Sequence, residues 1–200
     1  MAVRTKILDA ARELFAERGY DAVTMRTIAE RIEYTPTTIY YHFADKEALI
    51  RELVDQDFLT LAHDFQRIAG IADPVERLMA TGQAYTAFAF AHPNHYRLMF
   101  MTPNTPRAAC DPKQERRGNP DEDAYAFLKW TVGEAIAAGR FRPEYRDADL
   151  TAQLAWAGLH GVIALHIDQG DDDWIEWRPA GELAAAMLAL LMQGFLLKDG

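Results

Sequence analysis

Residues 24–50 read TMRTIAERIEYTPTTIYYHFADKEALI, and the reading of this stretch decides the fold. Thr24 is a good N-cap for MRTIAERI, whose Ile28, Ala29 and Ile32 line one side of a two-turn helix. After a turn at Glu33 and Tyr34, Thr35 caps a second short helix, with Pro36 at its first position, where a missing N–H costs no hydrogen bond. Asp45 then caps a long helix in which Ile50, Val54, Leu61, Phe65 and Ile68 continue one apolar face to Gly70. Two short helices joined by a tight turn can set the second into the DNA major groove, which is wide enough for a helix whose early residues touch base edges.

Working outward, Ile7, Leu8, Ala11, Leu14 and Phe15 recur at helical spacing, which predicts a first helix from Thr5 to Arg18 with Gly19 as its stop. Downstream, Asp73 and Pro74 open a fifth helix ending near His92, and Pro93 opens a short sixth, PNHYRLMF. Asn119 with Pro120 opens a seventh that stops at Gly139. Between them, residues 102–118 are rich in Pro, Asn and charge and read as a loop; whether it also serves as a lid stays open. An eighth helix runs from Asp147 to about Asp168 and a ninth follows Pro179, separated by a solvated acidic loop at Asp171–Asp173. The pattern predicts an all-α protein.

The run from Thr24 to Ile50 resembles the helix-turn-helix signature of the TetR family of bacterial transcriptional regulators. Thr24, Ile28 and Ala29, the block Thr35–Phe43, and Lys46 with Leu49 carry the likeness, and TxxTIYYHFxxKxxL is far more specific than a generic helix-turn-helix. The resemblance implies an N-terminal helix-turn-helix domain over 1–50, joined by a long helix to a ligand-binding and dimerisation domain over 51–200. Two positions depart from the family pattern: Glu33 stands where a glycine is usual, and Tyr34 where a small aliphatic is usual. Either the turn differs locally or Glu33 tolerates a left-handed backbone.

On physical grounds Thr37, Thr38 and Tyr41 are the exposed base readers, while Ile39 and Phe43 point into the domain core. Tyr40 and His42 carry polar tips suited to phosphate oxygens, and the resemblance places both at backbone-contact positions. Lys46, at the start of the long helix, is expected to reach a phosphate together with that helix N-terminus, and Arg26, Thr24 and Thr35 complete the positioning set. Plain structural roles compete: Thr24 and Thr35 serve as caps in any case, Tyr40 can be packing, and an exposed lysine can be merely solvated.

A net charge of −9 argues against a nucleic-acid partner until its distribution is read. Residues 1–50 hold 7 Lys/Arg against 8 Asp/Glu, leaving 14 against 22 in the remainder, so nearly all the acidity lies C-terminally. One face can then meet DNA while the rest repels it. The single Cys110 excludes an internal disulfide and a cysteine-rich zinc site and suits a reducing cytoplasm. The start, MAVRTKILDAARELF, lacks the apolar core of a secretion signal, and Leu183–Leu197, interrupted by Gln193, falls short of the roughly 20 apolar residues that span a bilayer. GxSxG, a glycine-rich phosphate loop and CxxC are all missing, and HPNH around His92 and His95 is broken by a proline, so neither catalytic residues, a cofactor nor a metal is expected.

The last two helices suggest how copies meet. Trp156, His160, Ile163 and Ile167 form one stripe of the eighth helix, and Leu154, Gly158, Gly161 and Leu165 another; Leu183, Met187, Leu190, Gly194 and Leu197 repeat along the ninth. Two such helices from each subunit make a four-helix homodimer interface, as the resemblance implies, and a two-fold dimer reads a palindromic operator in double-stranded DNA. Trp156–Gly161 also resembles a Trp-x-x-x-His-Gly element of one branch of TetR-type C-terminal domains. Phe88, Tyr96, Met99, Phe100, Tyr125, Trp156 and His160 could line a pocket for a small apolar or aromatic effector, although such residues at helical spacing are often plain core. The expected protein is a cytoplasmic, ligand-responsive repressor without membrane contacts; the rival reading is a helical small-molecule-binding module without DNA activity.

Overall fold

The computed structural model describes residues 2–102 and 116–197. These form nine α-helices: α1 Val3–Ala22, α2 Met25–Arg31, α3 Pro36–His42, α4 Lys46–Gln66, α5 Pro74–Ala91, α6 Pro93–Tyr96, α7 Ala124–Ala137, α8 Ala148–Gln169 and α9 Ala180–Phe195. A π-helical turn, Arg97–Met101, continues α6, and no strand occurs among the described residues. The protein is all-α, as its periodicity predicts. By packing it divides into two compact units, Met1–Phe58 with His92–Asp111, and Leu59–Ala91 with Pro112–Gly200.

The first unit is built on the apolar stripes read above. Ile7, Leu8, Ala11, Leu14 and Phe15 of α1 are all buried, together with Ile28 and Ala29 of α2, Ile39 of α3, Phe43, and Leu49, Ile50, Leu53 and Val54 of α4. Gly19 ends the regular α1 at φ +75°, and the chain adds one further turn to Ala22. Leu98, from the π-helical turn, is buried in the same cluster although more than forty residues separate it from the end of the α4 contribution. Periodicity alone does not reveal that contribution, because a four-residue helix and one turn are too short to show a stripe.

In the second unit α8 packs on α9, and α5 on both α7 and α8. Close approach explains two glycines. A Cβ on Gly82 of α5 would stand 2.7 Å from Leu188 Cδ1, and one on Gly158 of α8 would stand 3.0 Å from Leu191 Cδ1. The end of α9 is tied back to the α7–α8 connection: Arg142 N–H donates to Phe195 O, and Leu197 N–H to Arg140 O, both at 2.9 Å. Phe195 also packs against the Phe141 and Tyr145 rings.

The start of α7 differs from the sequence reading. Asn119 and Pro120 open only a turn, held by the Asn119 side chain accepting from Asp121 N–H; α7 itself starts after Asp123, whose carboxylate accepts from Tyr125 and Ala126 N–H. Asp123 is the better cap because its carboxylate meets two orphan donors at once. On α9 the side turned into the unit is Ala184, Leu188, Met192 and Phe195, while Leu190 and Leu197, from the stripe expected to meet another copy, are exposed. Most of the 102–118 stretch, with its expected loop and open question of a lid, lies outside the described residues.

α8 is, by length and composition alone, apolar enough to cross a membrane, but such a helix also suits a core or an interface. Leu150, Leu154 and Leu165 lie exposed along it at helical spacing, on the side that carries Gly158 and Gly161.

Candidate nucleic-acid interface

The α2–turn–α3 segment is fixed by its own side chains. Thr24 Oγ1 accepts from Thr27 N–H at 3.1 Å and Thr27 Oγ1 accepts from Thr24 N–H at 2.9 Å, a reciprocal cap that satisfies two orphan donors. α2 ends with Tyr34 N–H donating to Ala29 O at 3.0 Å, across Glu33 at φ +60°. That is the left-handed helix stop usually given to glycine. Of the two outcomes open in the sequence, Glu33 adopts the left-handed backbone and the turn keeps its shape. Thr35 caps α3 by accepting from Thr38 N–H at 3.4 Å, and the two hydroxyls lie 3.1 Å apart.

Ile39 is fully buried and Phe43 nearly so, as expected, which turns the other face of α3 outward. Tyr41 is 86% exposed and Tyr40 54% exposed, while Thr37 is exposed and Thr38 half-buried against its cap. The Tyr41 ring stands edge-on to His42, at 5.2 Å. This face offers hydroxyls, a methyl group and aromatic rings, the groups that read base edges and meet phosphates. Arg26 is exposed and pairs with Glu30 at 3.0 Å, a surface ion pair of little strength.

Lys46 is held differently from the other positions. Its Nζ donates to Tyr20 O and lies 3.9 Å from the centre of the Tyr20 ring and 5.8 Å from that of Phe15. Burial pushes its ammonium below the ordinary lysine range, with Asp21 and Glu47 acting in the opposite direction. The same side chain thus clamps the end of α1 to the start of α4, beside Asp45, which caps α4 by accepting from Ala48 N–H at 2.6 Å. A contribution that sequence reading misses is Arg31, which donates to both oxygens of Glu17 and to Glu13 on α1. Nothing in the spacing of these residues signals the pairing, because it crosses from one helix to another.

The residues expected around an effector fall into two sets. In the second unit, Trp156 Nε1 donates to Tyr85 Oη at 3.0 Å, and the Trp156 ring lies 6.0 Å from Tyr125 and 6.2 Å from His160. Tyr125 Oη is buried with no hydrogen-bond partner among the described residues. Phe88 is buried in that unit. In the first unit, Tyr96 and Met99 are buried and Phe100 packs on Tyr96 at 4.8 Å and edge-on to Phe58 at 5.4 Å.

Comparison with known proteins finds two family models along the chain. Residues 7–53 match the family model of bacterial regulatory proteins, tetR family, and residues 78–191 that of the tetracyclin repressor-like C-terminal domain. The chain is 46% identical over 54 residues to the HTH-type transcriptional regulator UidR of Escherichia coli (strain K12), a match covering 27% of this chain and 28% of UidR. It is 27% identical over 207 residues to the HTH-type transcriptional repressor KstR2 of Mycobacterium tuberculosis (strain ATCC 25618 / H37Rv), covering 98% of this chain and 94% of KstR2. The solved structure of KstR2, described as a ketosteroid transcriptional regulator, superposes with a TM-score of 0.69 at 24% identity, over 98% of this chain and 96% of that one. A structure of a protein with unknown function from Rhodococcus sp. RHA1 superposes with a TM-score of 0.77 at 25% identity, over 98% of this chain and 97% of that one.

Proposed function

Because the chain belongs to the tetR family of bacterial regulatory proteins, we propose that it is a ligand-responsive, DNA-binding transcriptional regulator that binds a palindromic operator as a homodimer and is released by a small apolar or aromatic effector. Its relatives are transcriptional regulators rather than enzymes, and KstR2 is a repressor, which supports repression as the outcome. The observation that carries the reading is α3: Ile39 and Phe43 anchor it while Thr37, Tyr40 and Tyr41 face solvent.

Residues 1–50 form the DNA-binding domain in this reading and 51–200 the ligand-binding and dimerisation domain. Thr37, Thr38 and Tyr41 read bases. Tyr40, His42, Arg26 and Lys46 meet phosphates, Lys46 with a proton to spare beyond its bond to Tyr20 O, and Thr24 and Thr35 hold the two helices in place. The exposed apolar residues Leu150, Leu154 and Leu165 of α8 and Leu190 of α9 support α8 and α9 as the dimer interface, since a free row of leucines is costly in water.

The effector contacts Tyr125, Trp156 and His160 of the second unit, with Phe88 as an apolar wall. The unpartnered Tyr125 hydroxyl supports an effector with one polar atom on an apolar body, and the ketosteroid in the description of the KstR2 structure is of that chemistry. The Trp156–Gly161 element supports placement in the Trp-x-x-x-His-Gly branch, and the single Cys110 and transcriptional role support a cytoplasmic location. Selection of bound duplexes from a random DNA library tests the reading. Recovery of a palindrome whose half-sites are about one helical turn apart, or a multiple of it, is expected. Recovery of no enriched sequence overturns it in favour of a binding module without DNA activity.

A further inference from the structure

Three polar side chains meet inside the first unit, one from each of α1, α4 and α6. Arg12 Nη1 donates to Asp57 Oδ1 at 2.5 Å. His95 Nδ1 lies 3.0 Å from that oxygen and 2.8 Å from the same Nη1. Asp57 is 3% exposed, and its Oδ2 is buried with no hydrogen-bond partner among the described residues.

Chemistry makes His95 the swing member. With a proton on Nδ1 it donates to Asp57 on α4, and without one it accepts from Arg12 on α1. In both states α6 is held to the rest of the unit by the same atom. A buried carboxylate is tolerated only while it is paired and hydrogen-bonded, so α6 cannot lift away without stripping Asp57 of a neighbour. Almost one turn after His95, Leu98 enters the core that also holds Ile39 and Phe43, the residues that orient α3. The Phe100 ring, from the same turn, meets Phe58 of α4. A single residue, His92, separates α5 from α6 in the chain.

We propose that Asp57 and His95 are positioning residues for DNA binding: with Arg12 they seat α6 on α1 and α4, Leu98 thereby completes the core beneath α3, and unseating α6 weakens operator binding. The proposal rests on the regulator reading above.

The test uses the full-length protein, operator duplex taken from the random library, and four variants: Asp57→Asn, His95→Ala, His95→Asn, and Asp57→Asn with His95→Ala. Affinity is measured by fluorescence anisotropy well below each variant's melting temperature, so that every sample is folded. Asp57→Asn and His95→Ala are each expected to bind about tenfold more weakly, within the usual range of coupling between sites. The double variant is expected to be no weaker than the worse single one, because both substitutions break one knot. His95→Asn, whose amide stands near the place of Nδ1, is expected to recover most of the loss, which a role in stability alone would not produce. Amide hydrogen exchange over residues 93–101 should quicken in Asp57→Asn and His95→Ala and stay slow in His95→Asn.

Wild-type affinity in both single variants, additive losses, or unchanged exchange over 93–101 would each overturn the proposal. Should Asp57→Asn fail to fold, the two His95 variants carry the test, since that side chain is partly exposed. If the wild-type protein enriches no DNA, the regulator reading fails by itself. Hydrogen exchange over 93–101 and 36–43 then still decides whether the knot seats α6 and orders α3.

Discussion

Replacing Glu33 by glycine should stabilise this protein, against the usual expectation that glycine loosens a chain. Glu33 holds φ +60° at the end of α2, where Tyr34 N–H closes the helix onto Ala29 O. An L-residue in the left-handed region carries a strain of about 1–2 kcal/mol from Cβ against the backbone. Glycine removes that strain but adds freedom to the unfolded chain worth about 0.4–1 kcal/mol. Glu33 also lines a shallow groove with Lys6, Arg31, Asp9 and Glu13, two cations against two other anions, so loss of its exposed charge changes little. The net gain is about 0.5–1 kcal/mol, or roughly 1–4 °C in melting temperature for a chain of this size. Circular dichroism melts of the wild type, Glu33→Gly, Glu33→Ala and Glu33→Gln separate the terms. Alanine and glutamine keep Cβ, so only glycine should gain. A Glu33→Gly protein that melts below wild type, or an alanine variant that gains as much, would refute the strain argument.

Three further outcomes are expected. Tyr41→Ala, at an 86% exposed position, should leave the melting temperature nearly unchanged; with about 1–2 kcal/mol lost at each of two half-sites, operator affinity should fall by roughly 30-fold to 1000-fold. Leu154→Glu with Leu190→Glu should convert a dimer to a monomer in sedimentation at micromolar concentration; a variant that sediments as wild type would place the interface elsewhere. The Asp73 carboxyl is held below its ordinary range, chiefly by the hydrogen bond from Arg140 at 2.6 Å and then by Glu76 N–H. A carboxyl lowered in the folded state lends stability at neutral pH that is lost as pH falls through its folded value. Arg140→Gln should therefore melt below wild type at pH 7, and the gap should close on acidification below the ordinary aspartate range near about pH 4. A gap independent of pH would contradict that assignment.

Much of this architecture is legible along the chain because it is local. Thr24, Thr35 and Asp45 cap the helices they are expected to cap, and Pro36, Pro74 and Pro93 each open one. The stripe of α1 and the inward turn of Ile39 and Phe43 follow from the 3.6-residue period. Where the reading missed, the cause is also local. Asn119–Pro120 and Asp123 are both good openers, and only the geometry of the turn shows which of them starts α7.

The sequence by itself determined that the protein is all-helical, that α2 and α3 form a helix-turn-helix, and which face of α3 is turned outward, since caps, prolines and apolar period act within a few residues. Tertiary structure alone decided the rest. It set Arg31 onto Glu13 and Glu17, Lys46 under Tyr20, and Leu98 and His95 into the unit that carries α3. Those choices join residues far apart in the chain, and a one-dimensional pattern contains no term for which helix a side chain meets across space.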